Sequence, residues 1–236
     1  MTIGNVPMSR GALIERLVEV IQAVERPHPI RVAIDGPDAA GKTTLADELA
    51  AELRYLDRVV IRASIDGFHR PRAERYRQGE DSPEGYYEDS FDYEALHRVL
   101  FDPLGPDGSR EYLVAVFDFR TDAARSTAVR VAADDAILLF DGVFLLRAEL
   151  FASWDLRIFV SVAPHETLLR ALNRDAALFG SREEVERRYS KRYIPGQELY
   201  LAAARPLEKA DLVVENSDFL KPILHIQAAA PFRPPR

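Results

Sequence analysis

Residues 30–44, Ile-Arg-Val-Ala-Ile-Asp-Gly-Pro-Asp-Ala-Ala-Gly-Lys-Thr-Thr, join a short apolar run to a glycine-bounded loop. The β-branched residues of 30–34 predict a buried strand, and the apolar periodicity that follows the loop predicts a helix. Between them, from Gly36 to Thr43, the chain has the spacing G-x-x-x-x-G-K-T. A strand, this loop and a helix in that order distinguish a P-loop from an ordinary glycine turn. We therefore predict that the stretch binds the phosphates of a nucleotide.

The chemistry of phosphate binding accounts for the residue types in this loop. Successive backbone N–H groups and the N-terminus of the following helix would converge on one anionic site. Lys42 would reach the β- and γ-phosphates, and the hydroxyl group of Thr43 would ligate Mg²⁺. The residues predicted to contact the nucleotide are Gly36, Ala39, Ala40, Gly41, Lys42, Thr43 and Thr44.

Two further predicted strands are followed by an aspartate. The run 58–63 leads into Asp66, and the very apolar run 136–140 ends at Asp141. Ligands of open α/β sheets bind beyond the carboxyl ends of the strands, so we expect Asp66 to be catalytic. An acid that ends an apolar strand can hold Mg²⁺ directly or through water, which is our interpretation of Asp141. The alternative for both is a turn, because each precedes a glycine.

The segment 70–92 is polar and carries several arginines, carboxylates and tyrosines. Such a charge run is usually a solvated face, but it is also typical of a substrate-binding lid after a catalytic strand end. Both interpretations stay open. Residues 111–119 and 126–131 alternate in strand fashion and predict an inserted β-hairpin.

Arginine-rich helices come late in the chain, and we expect them to form a helical lid over about 174–195. Their guanidinium groups could neutralise charge that develops on the phosphates, with Arg174 as the first choice. For any single arginine, a solvated helix face is an equally good interpretation.

Length and composition limit the class of protein. With 236 residues, 47% of them hydrophobic, the chain can form one domain, which we place over 1–230 with an N-terminal accessory helix over 9–26. The proline-rich residues 231–236 predict a disordered tail.

Charge and hydropathy exclude other classes. The net charge of −7 argues against nucleic acid as a partner, because nucleic-acid binding requires a basic face. The sequence shows neither a signal peptide nor a membrane-spanning run, so we expect a cytoplasmic protein that acts on a small molecule. With no cysteine, disulfides and thiolate metal sites are impossible. A homo-oligomer is compatible with the sequence.

Seven stretches together resemble the uridine kinase-like branch of P-loop kinases, which includes phosphoribulokinase and bacterial-type pantothenate kinase. They are GPDAAGKTT (36–44), SIDGFHRPR (64–72), EDSFDYEAL (88–96), VFDFR (116–120), LLFDGVFLL (138–146), LLRALNRD (168–175) and ADLVV (210–214). The resemblance implies an α/β, three-layer P-loop NTPase fold with a mainly parallel five-stranded sheet, the inserted hairpin and the lid. It also implies ATP and Mg²⁺ as cofactors, and transfer of the γ-phosphoryl group to a hydroxyl group of a small molecule.

The same resemblance implies roles for individual residues. Asp66 matches the carboxylate that takes the proton of the attacking hydroxyl, close to the metal. Asp141 stands where the family usually has a glutamate near Mg²⁺, and Arg174 matches a phosphate-side arginine of the lid. Asp89 matches a carboxylate that holds ribose hydroxyls.

The residues expected to contact the acceptor, Asp89, His69, Phe117 and Asp122, include departures from the family pattern. Uridine kinases have a tyrosine where this chain has Phe117, and a histidine near Asp122. The sequence around His69 is closer to pantothenate kinases. A nucleoside is the expected acceptor, with pantothenate, a sugar or glycerate as alternatives. A non-catalytic nucleotide-binding protein is the less favoured prediction.

Overall fold

The computed structural model describes residues 6–227, and its centre is one six-stranded sheet in the order β10-β9-β8-β1-β7-β2. The strands, in chain order, are β1 (Ile30–Asp35), β2 (Val60–Ser64), β3 (Glu111–Tyr112), β4 (Phe117–Asp118), β5 (Ala123–Ala124), β6 (Arg130–Val131), β7 (Ile137–Asp141), β8 (Leu156–Ser161), β9 (Leu212–Glu215) and β10 (Ile223–Ile226).

The prediction of a mainly parallel α/β sheet is confirmed. Strands β2, β7, β1, β8 and β9 pair in parallel, and β10 adds a sixth strand antiparallel to β9. The sequence analysis did not identify β10, because four residues after a proline give little periodicity. The predicted tail over 231–236 lies outside the described residues.

Helices cover both faces of this sheet. They are α1 (Arg10–Gln22), α2 (Lys42–Tyr55), α3 (Arg72–Arg75), α4 (Pro83–Asp89), α5 (Tyr93–Leu96), α6 (Ala148–Phe151), α7 (Pro164–Arg174), α8 (Ala176–Phe179), α9 (Arg182–Arg188), α10 (Ile194–Ala204) and α11 (Pro206–Lys209). A 3₁₀ turn spans Ile65–Phe68, and π-helical turns span His97–Phe101 and Tyr189–Tyr193. Within residues 6–227, no helix combines the length and apolar character needed to cross a membrane.

Strand β7, which lies between β1 and β2, shows why the fold has three layers. All five of its residues are buried, as expected for a parallel strand covered on both sides. Ile137 and Leu139 pack on the side of α1 and α2, whereas Leu138 and Phe140 pack in the opposite core with residues of α10. Successive side chains of a strand point to opposite faces, so one apolar run serves two cores.

Two segments outside the sheet reach over its carboxyl edge. The predicted hairpin forms two short antiparallel pairs, β3 with β6 and β4 with β5. The lid region runs through α8 and α9 into the π-helical turn and α10. The helix predicted over 9–26 spans Arg10–Gln22, with the Ser9 hydroxyl accepting a hydrogen bond from the N–H of Ala12.

Candidate active site

The P-loop between β1 and α2 is shaped by two glycines. Gly36 has φ +148°, and a Cβ atom at this position would lie 2.3 Å from the carbonyl oxygen of Val160. Gly41 has φ +90°, a conformation that favours glycine, and comes directly before α2. The N–H of Gly36 donates to the buried carboxylate of Asp35 at 2.8 Å, and the hydroxyl of Tyr200 donates to the same carboxylate. These contacts fix the entry of the loop.

Lys42 is the first residue of α2, and its side chain reaches back to the loop. Its ammonium group is largely buried and donates to the carbonyl oxygen of Pro37 at 2.6 Å. Burial lowers the pKa of Lys42, and the carboxylates of Asp38, Asp35 and Asp141 oppose that shift by favouring the charged form. The cation is therefore poorly solvated and surrounded by acids, so a phosphate group would be a strong additional partner.

Thr43 and Asp141 come together as the sequence analysis expected of a metal site. The Thr43 hydroxyl donates to Oδ2 of Asp141 at 2.6 Å, and Nη2 of Arg62 donates to Oδ1 at 2.9 Å. A hydroxyl and a carboxylate are hard oxygen donors, and Mg²⁺ usually takes one or two protein ligands together with phosphate oxygens and water. The pair fits that donor set. Residues 6–227 contain no group of three or more His, Asp or Glu side chains that could hold a metal by themselves.

A cleft of about 410 Å³ opens above these residues, between the carboxyl edge of the sheet and the lid. Its lining includes seven of the predicted site residues, namely Ala39, Lys42, Thr43, Asp66, His69, Asp141 and Arg174. Lys42 and Asp141, almost 100 positions apart in the sequence, therefore face one space, because β1 and β7 are neighbours in the sheet.

Asp66 lies on the 3₁₀ turn after β2, with its side chain open to the cleft. The protein atoms around the carboxyl group raise its pKa, while the imidazole of His69 acts in the opposite direction and the charge of Asp141 adds to the rise. Nδ1 of His69 lies 3.1 Å from the backbone oxygen of Asp66. The His69 ring packs between Phe91 and Phe119, with centroid distances of 4.6 Å and 4.9 Å.

Arg174 ends α7 on the lid side of the cleft. Its guanidinium group donates to both oxygens of Asp175, at 2.6 Å and 2.9 Å. These hydrogen bonds raise the pKa of Arg174 and keep the side chain positively charged. The hydroxyl of Tyr189 donates to the same carboxylate at 2.8 Å, which connects the end of α7 to the π-helical turn of the lid region.

The predicted acceptor residues do not all meet in the cleft. His69 lines it, and Phe117 lines an adjoining cleft of about 480 Å³ that shares Thr43 and Asp66 with the first. Asp122 is not among the lining residues of either cleft. Its carboxylate instead accepts a hydrogen bond from the N–H of Arg72 at 2.8 Å.

Asp89 is likewise not among the lining residues of either cleft. It is buried, and its carboxylate accepts hydrogen bonds from Arg77 at 2.6 Å and 3.0 Å and from Gln78 at 2.7 Å. Burial by itself would raise the pKa of Asp89, but the hydrogen bonds from Gln78 and Arg77 hold it below the ordinary value. The assignment of Asp89 and Asp122 to the acceptor stays a prediction.

Sequence reasoning missed several residues of the cleft wall: Asp38, Tyr86, Phe91, Phe119, Tyr189 and Tyr193. Asp38 was visible as an acid inside the P-loop, and Phe119 as part of the VFDFR stretch. No sequence pattern marked the three tyrosines as site residues, because only the packing of α4 and of the π-helical turn brings them to the cleft.

The chain is similar to several known kinases. Uridine-cytidine kinase B of Dictyostelium discoideum is 27% identical over 189 residues, which cover 79% of this chain and 74% of the relative. The uridine kinase of Lactobacillus helveticus is 25% identical over 152 residues, covering 62% and 68% of the two chains. A solved structure from Bacillus stearothermophilus, named as a possible uridine kinase, has a TM-score of 0.68 at 24% identity and covers 86% of this chain and 97% of its own, which shows the shared fold.

The family itself is shown by a model of the cytidylate kinase-like family, which matches residues 31–218. That range contains the P-loop, both strand-end aspartates and the lid. The expectation of a phosphotransferase is thereby confirmed, and the chain belongs to the cytidylate kinase-like family as a P-loop kinase of the uridine kinase-like type.

Proposed function

We propose that this chain is an ATP- and Mg²⁺-dependent kinase that transfers the γ-phosphoryl group to a hydroxyl group of a nucleoside. The observation that carries the proposal is the convergence of Lys42, Asp66 and Asp141 on one cleft of about 410 Å³. A phosphate cradle, a metal-compatible carboxylate and a base at a strand end are the parts that phosphoryl transfer requires.

The donor would lie in the P-loop. Main-chain N–H groups between Gly36 and Lys42 would surround the β-phosphate, and the Lys42 ammonium would exchange its contact with Pro37 for phosphate oxygens. Thr43 and Asp141 would hold Mg²⁺, which supplies charge neutralisation on the bound polyphosphate. Phosphoryl transfer depends mostly on positioning and charge neutralisation, so these residues need little chemistry of their own.

The acceptor hydroxyl would lie at Asp66. Its oxygen would bond to the γ-phosphorus as the bond from that phosphorus to the bridging oxygen of ADP breaks, and the hydroxyl proton would pass to the carboxylate of Asp66. Its raised pKa makes Asp66 a better proton acceptor than an aspartate with an ordinary pKa. Arg174, held by Asp175, would face the charge on the transferring group from the lid side.

Two observations support a nucleoside as acceptor. The relatives named as uridine or uridine-cytidine kinases match along most of the folded chain. Beside Asp66, the rings of His69, Phe91 and Phe119 form an aromatic wall. Aromatic faces of this kind stack on flat heterocycles such as nucleobases.

A coupled assay of ADP release tests the proposal. Purified protein with ATP and Mg²⁺ is incubated with uridine, cytidine, other nucleosides, pantothenate, sugars and glycerate. We expect ADP release that depends on a nucleoside and is abolished in Asp66→Asn. Turnover with one of the other acceptors only would refute the nucleoside assignment, and no stimulated turnover with any of them would refute the kinase.

A further inference from the structure

Asp38 lies inside the P-loop, where a carboxylate is out of place if the loop serves phosphate alone. A negative charge beside a polyphosphate is repelled, and the repulsion grows in a site with little water. Asp38 is half-buried and lines the main cleft. Its charge also adds to the raised pKa of Asp66, so it works against ionisation of the proposed base.

The direction of the Asp38 side chain resolves this conflict. Its Oδ2 accepts a hydrogen bond from the hydroxyl of Tyr86 at 2.7 Å and lies 3.5 Å from the amide nitrogen of Gln197. Tyr86 belongs to α4 and Gln197 to α10, so both helices contact the P-loop at Asp38. The carboxylate is therefore directed to α4 and α10.

Tyr86 holds the carboxylate in that direction and is itself held firmly. Its ring packs edge-on against Phe144 and Tyr193, with centroid distances of 4.9 Å in both cases. α10 comes so close at Gly196 that a Cβ atom there would lie 2.7 Å from the Tyr86 ring. The phenol therefore has little freedom to move, and it acts on Asp38 as a positioning residue.

The second oxygen of Asp38 remains open to a ligand. Within residues 6–227, Oδ1 makes no protein hydrogen bond, and an ionised carboxylate can accept about four. The carboxylate of Asp89, by contrast, already accepts hydrogen bonds from Arg77 and Gln78, and Asp89 does not line the cleft. Of these two carboxylates, only Asp38 lines the cleft that also contains Asp66.

We propose that Asp38 binds the acceptor by accepting a hydrogen bond from a second hydroxyl group, one that is not phosphorylated. The inference rests on the proposed function and narrows it to acceptors with at least two hydroxyls, such as the ribose of a nucleoside. One carboxylate of the P-loop side then fixes the sugar while Asp66 faces the reacting hydroxyl.

The test compares wild type with Asp38→Asn on uridine, cytidine and their 2′-deoxy and 3′-deoxy analogues. Asparagine keeps an oxygen for Tyr86 and removes the charge, so the fold is retained, and thermal unfolding checks this. We expect the KM for the nucleoside to rise about tenfold or more, as for loss of one hydrogen bond to a charged group, with the KM for ATP nearly unchanged. Tyr86→Phe should show a smaller rise, and Glu198→Gln, which changes a nearby exposed acid on α10, should behave as wild type.

The deoxy analogues give the decisive result. If Asp38 binds a ribose hydroxyl, the analogue without that hydroxyl should bind poorly to wild type. Asp38→Asn should then weaken the binding of this analogue only a little further, because both changes remove the same contact. Two results would overturn the role of Asp38 and leave the kinase intact. In the first, the loss of affinity caused by Asp38→Asn and the loss caused by the deoxy change multiply for every analogue. In the second, Asp38→Asn raises only the KM for ATP. If wild type neither turns over nor binds any nucleoside in calorimetry, the proposed function fails and this inference fails with it.

Discussion

Replacement of Arg62 by alanine tests whether the metal-site carboxylate depends on a residue of the neighbouring strand. In the folded protein, the Arg62 guanidinium donates to Asp141 Oδ1 at 2.9 Å, to Asp47 at 3.0 Å and to the carbonyl oxygen of Leu139 at 2.7 Å. One side of Asp141 is thereby occupied, and its other oxygen faces the Thr43 hydroxyl. Arg62→Ala removes this anchor while leaving the P-loop itself unchanged.

The loss of stability expected for Arg62→Ala follows from how deeply the Arg62 and Asp141 side chains are buried. The Asp141 side chain is 3% exposed and that of Arg62 is 19% exposed. Breaking a buried ion pair by removing one partner costs roughly 3–5 kcal/mol. Because Arg62 is partly solvated and Asp141 keeps its bond from Thr43, we expect a loss of about 2–3 kcal/mol in the free energy of unfolding. For a chain of this size, that corresponds to a fall of about 5–10 °C in Tm.

Two assays measure the consequences of Arg62→Ala. Urea unfolding in EDTA gives the change in stability without metal. Calorimetric titration of Mg²⁺ into the protein with a non-hydrolysable ATP analogue then gives metal affinity, which we expect to weaken about tenfold because Asp141 is no longer held in place. Asp47→Asn is the matched control, since Asp47 is 65% exposed and an exposed pair contributes little. Stability and Mg²⁺ affinity that match this control would refute the reasoning.

Three further substitutions test other parts of the site. Lys42→Ala should lower kcat about 10³-fold or more, because it removes the cation that faces the β- and γ-phosphates, as measured by ADP release at saturating ATP. Asp66→Asn should abolish turnover and leave the calorimetric Kd for ATP within a few-fold of wild type. Gly36→Ala should destabilise the fold by about 1–3 kcal/mol and weaken ATP binding, since its Cβ would meet the Val160 carbonyl at 2.3 Å, whereas Gly79→Ala, also at positive φ but in open space, should retain ATP binding.

Each of these predictions has an outcome that contradicts it. Near-normal turnover in Asp66→Asn would remove its role as base. A Lys42→Ala enzyme that loses only affinity for ATP, with kcat unchanged, would show that the lysine acts equally on ground state and transition state. Equal losses of ATP binding in Gly36→Ala and Gly79→Ala would assign the effect to backbone strain and not to the close contact with Val160.

The phosphate-binding half of the site could be predicted from the sequence, because its chemistry depends on local backbone geometry. The spacing of Gly36, Gly41 and Lys42 is set by one loop between a strand and a helix. Asp66 and Asp141 could be placed for a related reason. Asp141 ends β7 and Asp66 comes just after β2, and the carboxyl ends of parallel strands share one edge.

The acceptor half depended on contacts between distant segments. Asp89 matched a family position in sequence, but in the fold its carboxylate accepts hydrogen bonds from Arg77 and Gln78. Arg62 and Tyr86 carry no motif, and they matter only because β2 pairs with β7 and α4 packs against the P-loop. The contacts of Arg62 with Asp141 and of Tyr86 with Asp38 join residues 79 and 48 positions apart, and no short pattern records which side chains will meet. The sequence by itself therefore determined where we propose that phosphate binds, and the tertiary structure decided which side chains line the proposed acceptor site.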